Sequence, residues 1–175
     1  MLPTYKQADG KVLRAGYTTG TCAAAATAAA VQLLFGSKPL TAVGVDTPAG
    51  IRLTLPLALQ EQGGGWARAG VTKDAGDDPD VTHNTLVVAE AMPLASDEVL
   101  IEGGVGVGRV TKPGLAVPVG EAAINPGPRA QILHSIRQVL PPGQGVAVTI
   151  EVPEGAELAK RTLNPELGIV DGISI

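Results

Sequence analysis

One short run, Val71-Thr72-Lys73-Asp74-Ala75-Gly76-Asp77-Asp78-Pro79-Asp80-Val81-Thr82-His83, gathers a lysine, four aspartates and a histidine. Asp74, Asp77, Asp78 and Asp80 offer the oxygen ligands that hard cations take, as in a metal-dependent hydrolase or phosphotransferase. Gly76 and Pro79 stop helix or strand from running through the cluster, and the apolar residues 85–91 follow at once. The cluster therefore reads as a loop held between two buried strands, where a rigid scaffold positions sites. The aspartates alone read as a solvated acidic turn. Lys73 and His83, at the points where the chain re-enters the core, favour a functional loop.

Two other stretches carry chemical signals. Gly16-Tyr17-Thr18-Thr19-Gly20-Thr21-Cys22 leads into an alanine-rich run that ends at Phe35-Gly36. Thr residues cap a helix start and Ala has the best helix propensity, so residues 21–35 are predicted as a helix with Gly36 left-handed at its end. Its small side chains allow close approach to a sheet or a ligand. Its N-terminus offers backbone N–H groups beside Thr hydroxyls, which suits an anion as well as ordinary capping. Cys22 in the first turn reads as a buried small residue rather than a reactive thiol. The other stretch is Gly103-Gly104-Val105-Gly106-Val107-Gly108-Arg109. It lacks the G-x-G-x-x-G spacing, and residues 109–114 do not open a helix, so a dinucleotide loop is rejected. These glycines let one backbone pass close to another backbone or to a ligand. Val110-Thr111-Lys112 weakly echoes Val71-Thr72-Lys73.

The bulk composition narrows the function classes. The chain has 175 residues, enough for one domain with a real core, and 45% of them are hydrophobic. Only 2% are aromatic and the net charge is −4, which argues against nucleic acid as a partner. A single cysteine and two histidines argue against a disulfide framework and against a zinc site, and fit a reducing cytoplasm. No apolar run is long enough to span a bilayer, and the first ten residues lack a signal-peptide core. The chain divides into a loose lead-in over 1–13 and one domain over 14–175.

The elements that must hold these loops follow from patterning. Residues 40–46 and 51–57 are predicted strands around the turn Thr47-Pro48-Ala49-Gly50. Residues 60–65 read as a flexible loop, and 66–72, 85–91 and 99–102 as strands. Residues 115–124 read as extended. Asn125-Pro126-Gly127-Pro128 starts a helix with Pro128 in first place. On residues 129–140, Ile132, Leu133, Ile136, Val139 and Leu140 make one apolar face, leaving His134 and Arg137 outside. A strand over 146–152, a helix over 156–163 stopped by Asn164-Pro165, and a strand over 167–175 complete the list. This order predicts an α+β fold, a two-layer mixed sheet with helices packed on one face.

Five strings together resemble the CbiD family, the cobalt-precorrin-5B C(1)-methyltransferases of the anaerobic cobalamin pathway. They are Arg14-Ala15-Gly16-Tyr17-Thr18-Thr19-Gly20-Thr21-Cys22-Ala23-Ala24; residues 71–83; Gly106-Val107-Gly108-Arg109-Val110-Thr111-Lys112-Pro113-Gly114-Leu115; Val117-Pro118-Val119-Gly120-Glu121 with Ala123-Ile124-Asn125-Pro126; and Ala159-Lys160-Arg161-Thr162-Leu163-Asn164-Pro165 with Leu167-Gly168-Ile169-Val170. Asn84 and Asp171 stand where the family pattern leads one to expect glycine. Family members are much longer, so the chain is expected to be an N-terminal portion.

The resemblance implies methyl transfer from S-adenosylmethionine to carbon 1 of cobalt-precorrin-5B, a substrate rimmed with carboxylates. Cationic donors and loop hydroxyls assigned to it are Arg14, Thr18, Thr19, Lys73, Arg109, Lys112 and Arg129. Asp77, Asp78, Gly104, Gly106 and Asn125 are assigned to the methyl donor. Asp74 and His83 are the candidate catalytic pair, His83 accepting a proton with an ordinary pKa of about 6.5. No metal site is assigned under this reading. The missing half leads to a further expectation: corrinoid-facing loops are present, part of the donor machinery is absent, and residues 167–175 lie at the margin, available for self-association. The alternatives are a non-catalytic tetrapyrrole-binding module and the metal-dependent hydrolase or phosphotransferase.

Overall fold

The computed structural model describes residues 2–36 and 38–175. The elements run β1 (Thr4–Lys6), β2 (Val12–Arg14), α1 (Thr19–Phe35), β3 (Ala42–Asp46), β4 (Arg52–Pro56), β5 (Leu59–Gly63), β6 (Trp66–Thr72), β7 (Leu86–Leu94) and β8 (Val99–Gly103). There follow β9 (Gly106–Val107), β10 (Arg109–Val110), α2 (Pro126–Val139), β11 (Gly145–Glu151), α3 (Gly155–Ala159), α4 (Asn164–Leu167), β12 (Ile169–Val170) and β13 (Gly172–Ile173).

The alanine run dictates the architecture. Thr18 caps α1 by accepting the Thr21 N–H at 3.0 Å. Every residue from Gly20 to Val31 is buried, so α1 is enclosed on all sides rather than lying on a surface. One side meets β6 and β7, another meets α2, and a third meets β3. Ala67, Ala69 and Val71 of β6 and Val87, Ala89 and Ala91 of β7 alternate inward to join it in the core. The sheet order is β5-β6-β7-β11-β8, antiparallel throughout except for the parallel pair β11–β8. The mixed sheet with its helices to one side is the predicted class.

Helix α2 runs parallel to α1. A Cβ built on Gly20 would stand 3.0 Å from Pro128, Gln131 donates to Thr21 Oγ1, and Ser135 donates to the Ala24 carbonyl. Contacts thus advance in the same direction along both helices, and both N-termini emerge at one end. Neither first turn contains an acidic residue.

Several local expectations are corrected. Gly36 is extended (φ −103°, ψ 175°) rather than left-handed, its N–H donating to the Gln32 carbonyl. Residues 60–63 are not a loop: they belong to β5, which pairs with β6 as an edge strand, and only 64–65 form the turn between the two; edge position accounts for the polar sequence. Helix α2 begins at Pro126, which needs no N–H partner there. Asn164-Pro165 starts a turn of helix instead of stopping one. Residues 115–124 form no strand beyond a bridge between Arg109 and Ala122. The lead-in contains the antiparallel hairpin β1–β2.

Residues 167–175 are divided by Asp171, whose φ is +63°, into β12 on β10 and β13 on β9. Each piece is laddered on one side, yet Ile169, Ile173 and Ile175 are buried. The three isoleucines are therefore tucked in, while Leu167 and Val170 stay exposed. Asn84 has φ +64°. The two departures from the family pattern thus fall on the two non-glycine residues with positive φ among the described ones. Asn and Asp tolerate this region better than other side chains, which explains why glycine is expected there and why these replacements fit.

Because Ala26 is fully enclosed, Ala26→Leu is expected to destabilise the chain by about 1–3 kcal/mol through overpacking. Urea unfolding measures it, and an unchanged midpoint would contradict the enclosed position of α1.

Candidate functional site

The acidic loop, residues 73–85, joins β6 to β7 and is closed at its neck by two backbone bonds. The Lys73 N–H donates to the Thr85 carbonyl and the Asn84 N–H to the Lys73 carbonyl, both at 2.8 Å. The loop is fastened to the segment that enters α1. Tyr17 N–H donates to the Asp74 carbonyl at 2.6 Å and Asp77 N–H to the Arg14 carbonyl at 3.1 Å. The two backbones touch: a Cβ on Gly16 would stand 2.0 Å from the Ala75 carbonyl carbon, and one on Gly76 would stand 2.3 Å from the Arg14 oxygen. Only glycine permits this approach, and Gly76 also has φ +70°.

Side chains complete the joint. The Arg14 guanidinium grips Asp74 with two bonds of 2.7 and 3.0 Å. Hydrogen bonds from Arg14, then from the Gly76 N–H, hold the Asp74 carboxyl below its ordinary value. Asp77 accepts the Arg14 N–H at 2.7 Å, and Asp78 accepts the Tyr5 hydroxyl at 2.8 Å. Lys73, only 3% exposed, donates to Asp80 and to Thr82 Oγ1, both at 2.5 Å. Asp80 in turn accepts the Thr82 N–H and hydroxyl. Burial works to raise the Asp80 pKa, but the bonds from Lys73 and Thr82 overcome it and bring it to about 2.

Two adjoining cavities open at the start of α1, sharing Gly16, Tyr17 and Thr18. The polar one, about 260 Å³, is also lined by Thr19, Lys73, Ala75, Asp78 and Asp80. The other, about 320 Å³, lies towards the β3–β4 turn and has mostly apolar walls, among them Pro3, Pro48, Ile51 and Leu53. Lys73 and Arg14, assigned to substrate carboxylates, are spent on the loop's own carboxylates. With four aspartates against Lys73 and Arg14, the loop and its clamp carry a net charge of −2. The cleft therefore favours a cation over another anion.

The remaining assigned residues divide. Thr18 and Thr19 line the polar cavity. His83 does not: it is exposed, and its Nδ1 accepts the Ala75 N–H at 3.1 Å, leaving the proton of the neutral ring on Nε2. Asp74 is committed to Arg14, so the pair His83–Asp74 forms no hydrogen-bonded dyad. Gly106 is buried against Val152–Gly155 and Gly172, backbone on backbone, and Gly104 stands over Thr149 and Glu151. Asn125 clamps the Ile175 carbonyl with its side-chain amide at 3.1 Å. These three lie outside the cleft. Arg109 pairs with Glu102, while Lys112 and Arg129 donate to the carbonyls of Glu166 and Ile101. A carbonyl partner leaves the positive charge uncancelled, unlike the carboxylates that hold Lys73 and Arg14.

Sequence reading missed Tyr17 as the wall common to both cavities, and Thr82 as the second ligand of Lys73. The spacing Asp80-x-Thr82, which makes an Asx turn, was the available signal for Thr82. Cys22 is buried as expected, and burial pushes its thiol up to about 12. His134 is exposed but not idle, since with Gln138 and Arg52 it holds Asp46 at the base of the β3–β4 turn. The hard-cation reading loses its support. Each loop aspartate has its own partner, and among the described residues no group of three His, Cys, Asp or Glu is placed to hold a metal ion.

The CbiD family model matches residues 6–175. Among curated relatives, the cobalt-precorrin-5B C(1)-methyltransferase of Thermoanaerobacter sp. (strain X514) is 47% identical over 174 residues, covering 99% of this chain and 48% of that protein. The protein of the same name from Geobacillus kaustophilus (strain HTA426) is 53% identical over 168 residues, covering 94% and 45%. A crystal structure of a cobalamin biosynthesis protein from Archaeoglobus fulgidus superposes with a TM-score of 0.71 at 36% identity, over 98% of this chain and 55% of that one. The chain spans about half the length of the curated relatives it matches.

The Lys73–Asp80 pair is asymmetric, which sets two expectations. The Lys73 side chain is only 3% exposed, whereas that of Asp80 is 38% exposed. Asp80→Asn is expected to cost about 2–3 kcal/mol, below the full range for a broken buried pair because of that exposure. Lys73→Met should cost only about 1 kcal/mol, because Asp80 can turn to solvent. Equal losses in urea unfolding would refute the asymmetry. A depressed folded-state pKa contributes stability above the unfolded value of about 3.9, and this is lost as the pH falls through about 2. Parent and Asp80→Asn stabilities should therefore converge between about pH 4 and about pH 2 in acid titrations followed by circular dichroism.

Proposed function

The chain belongs to the CbiD family, and on that premise we propose that it serves S-adenosylmethionine-dependent methyl transfer to carbon 1 of cobalt-precorrin-5B, giving cobalt-precorrin-6A in cytoplasmic cobalamin biosynthesis. The observation that carries this reading is the cleft itself. Two of the family's strings, residues 14–24 and 71–83, are fastened together at the start of α1 and enclose it.

The donor supplies an electrophilic methyl group on a sulfonium, and its amino acid end adds an ammonium. A cleft of net negative charge fits those cations, with Asp78 and Asp80 in its wall. The loop's rigidity serves orientation, since a bimolecular transfer gains most from holding its partners in line. Lys112 and Arg129 are the better choices for the substrate's carboxylates, because their carbonyl partners leave their charges available. Arg129 sits in the first turn of α2, at the end where both helix N-termini emerge without acidic residues. Arg14 and Lys73 act instead on the loop, as positioning residues. No helix among the described residues is long and apolar enough to cross a membrane.

A non-catalytic tetrapyrrole-binding module is the second reading, and the carbonyl-bound cations Lys112 and Arg129 would serve it equally. Titration with cobalt-precorrin-5B followed by corrin absorbance tests both. Binding should weaken with salt, and Arg129→Ala or Lys112→Ala should weaken it by about tenfold or more, the loss of one charge-assisted bond. Binding untouched by either substitution would remove the substrate assignment. Adding S-adenosylmethionine and following product mass separates the readings: a methylated corrin supports transfer by this chain, and an unaltered one supports the module.

A further inference from the structure

We infer that the apolar cavity under the β3–β4 turn seats the adenosine of the methyl donor, while the donor's cationic end lies in the adjoining polar cavity. The inference rests on the methyl-transfer reading and adds a place for the donor within this half of the family's length. It stands against the expectation that part of the donor machinery is absent, and keeps only Asp78 of the residues assigned to the donor.

Three observations converge. The first is size. At about 320 Å³ the cavity is at the small end of the ~300–1,000 Å³ range for ligand sites, enough for a nucleoside and too small for a tetrapyrrole macrocycle. The second is chemistry along the cleft. The walls from Pro3, Pro48, Ile51 and Leu53 suit a flat, weakly polar base, and Thr18 and Thr47 bring hydroxyls to the same space. Beyond Gly16 and Tyr17, shared by both cavities, the wall changes to Asp78 and Asp80 against the single ammonium of Lys73. One ammonium against two carboxylates leaves that side at −1, complementary to a sulfonium and an ammonium. Hydrogen bonding keeps Asp80 ionised down to about pH 2, so the complementarity holds at any physiological pH. The third is the common wall. Tyr17 adds an aromatic ring, whose face attracts cations, at the junction where apolar surface gives way to acid. A macrocycle rimmed with carboxylates matches neither the volume nor the charge. A molecule with a neutral aromatic end and a cationic end matches both, in order.

The cavity is built from separate pieces of chain: the lead-in at Pro3, the entry to α1, and the β3–β4 turn. That turn is held against α2 by Asp46, which accepts from Arg52 and Gln138, with His134 Nε2 at 3.2 Å. The lead-in is held by the Tyr5–Asp78 bond and by the Ala15 N–H on the Pro3 carbonyl. Asp78 therefore belongs both to the polar cavity and to the strap that closes the apolar one.

Calorimetry on the full chain with S-adenosylmethionine and with adenosine tests this. Ala49→Phe places bulk into the apolar cavity from an exposed turn position, and should weaken both ligands by about tenfold or more. Asp78→Asn keeps an acceptor for Tyr5 but removes the charge. It should weaken S-adenosylmethionine by about tenfold and leave adenosine unchanged. Circular dichroism melts of both variants confirm folding. Full-strength binding to Ala49→Phe overturns the cavity assignment, as does failure of the unaltered chain to bind either ligand. In both cases the corrin titration still judges the methyl-transfer reading independently. Equal weakening of both ligands by Asp78→Asn overturns the assignment of the cationic end.

Discussion

Everything in this molecule is arranged around a helix with almost no side-chain volume. From Gly20 to Val31, α1 offers little beyond methyl groups, and it is enclosed by sheet, helix and hairpin. Small side chains let those neighbours come close, and close neighbours bury α1 without large aromatic residues, which the chain scarcely has. The enclosure fixes where the helix begins. That beginning is the floor of the cleft, so the packing constraint and the candidate site are one feature seen from two ends.

The joint between residues 14–17 and the acidic loop converts that placement into chemistry. Gly16 and Gly76 let two backbones touch, and the bidentate Arg14–Asp74 pair locks them. Once the loop is fixed, its charges are largely consumed internally: Asp74 by Arg14, Asp77 by a backbone N–H, and Asp80 by Lys73 and Thr82. What remains is a modest negative excess beside an apolar cavity. This reverses the role that residue types alone assign to Lys73 and Arg14. A cation within reach of a carboxylate in a partly desolvated loop neutralises it before any ligand arrives. The cations left for a carboxylate-rich partner are those resting on carbonyls, Lys112 and Arg129.

The glycine-rich stretch around Gly106 illustrates the same logic away from the cleft. Its glycines are required because β9, β13 and the start of α3 meet backbone to backbone there, and a Cβ on Gly106 has no space. Glycine spacing announced a close approach, and the partner proved to be protein.

By itself the sequence determined the class of fold, the helix of alanines with its threonine cap, the β3–β4 hairpin, and the strands β6, β7, β8 and β11. These depend on local propensity and on alternation, which are written residue by residue. It also determined the family, through strings too long and unusual to arise by chance. The tertiary structure alone decided which charged groups face a ligand and which face each other. It made Lys73 a buried structural cation, put His83 on the outside of the loop, and drew Asn125 to the chain end. It also turned residues 60–63 into an edge strand and built a cavity from Pro3, Tyr17 and Ile51. None of these has a local signature, because each is set by contacts between residues far apart in the chain. Electrostatic and steric energies depend on those distances and not on order along the sequence.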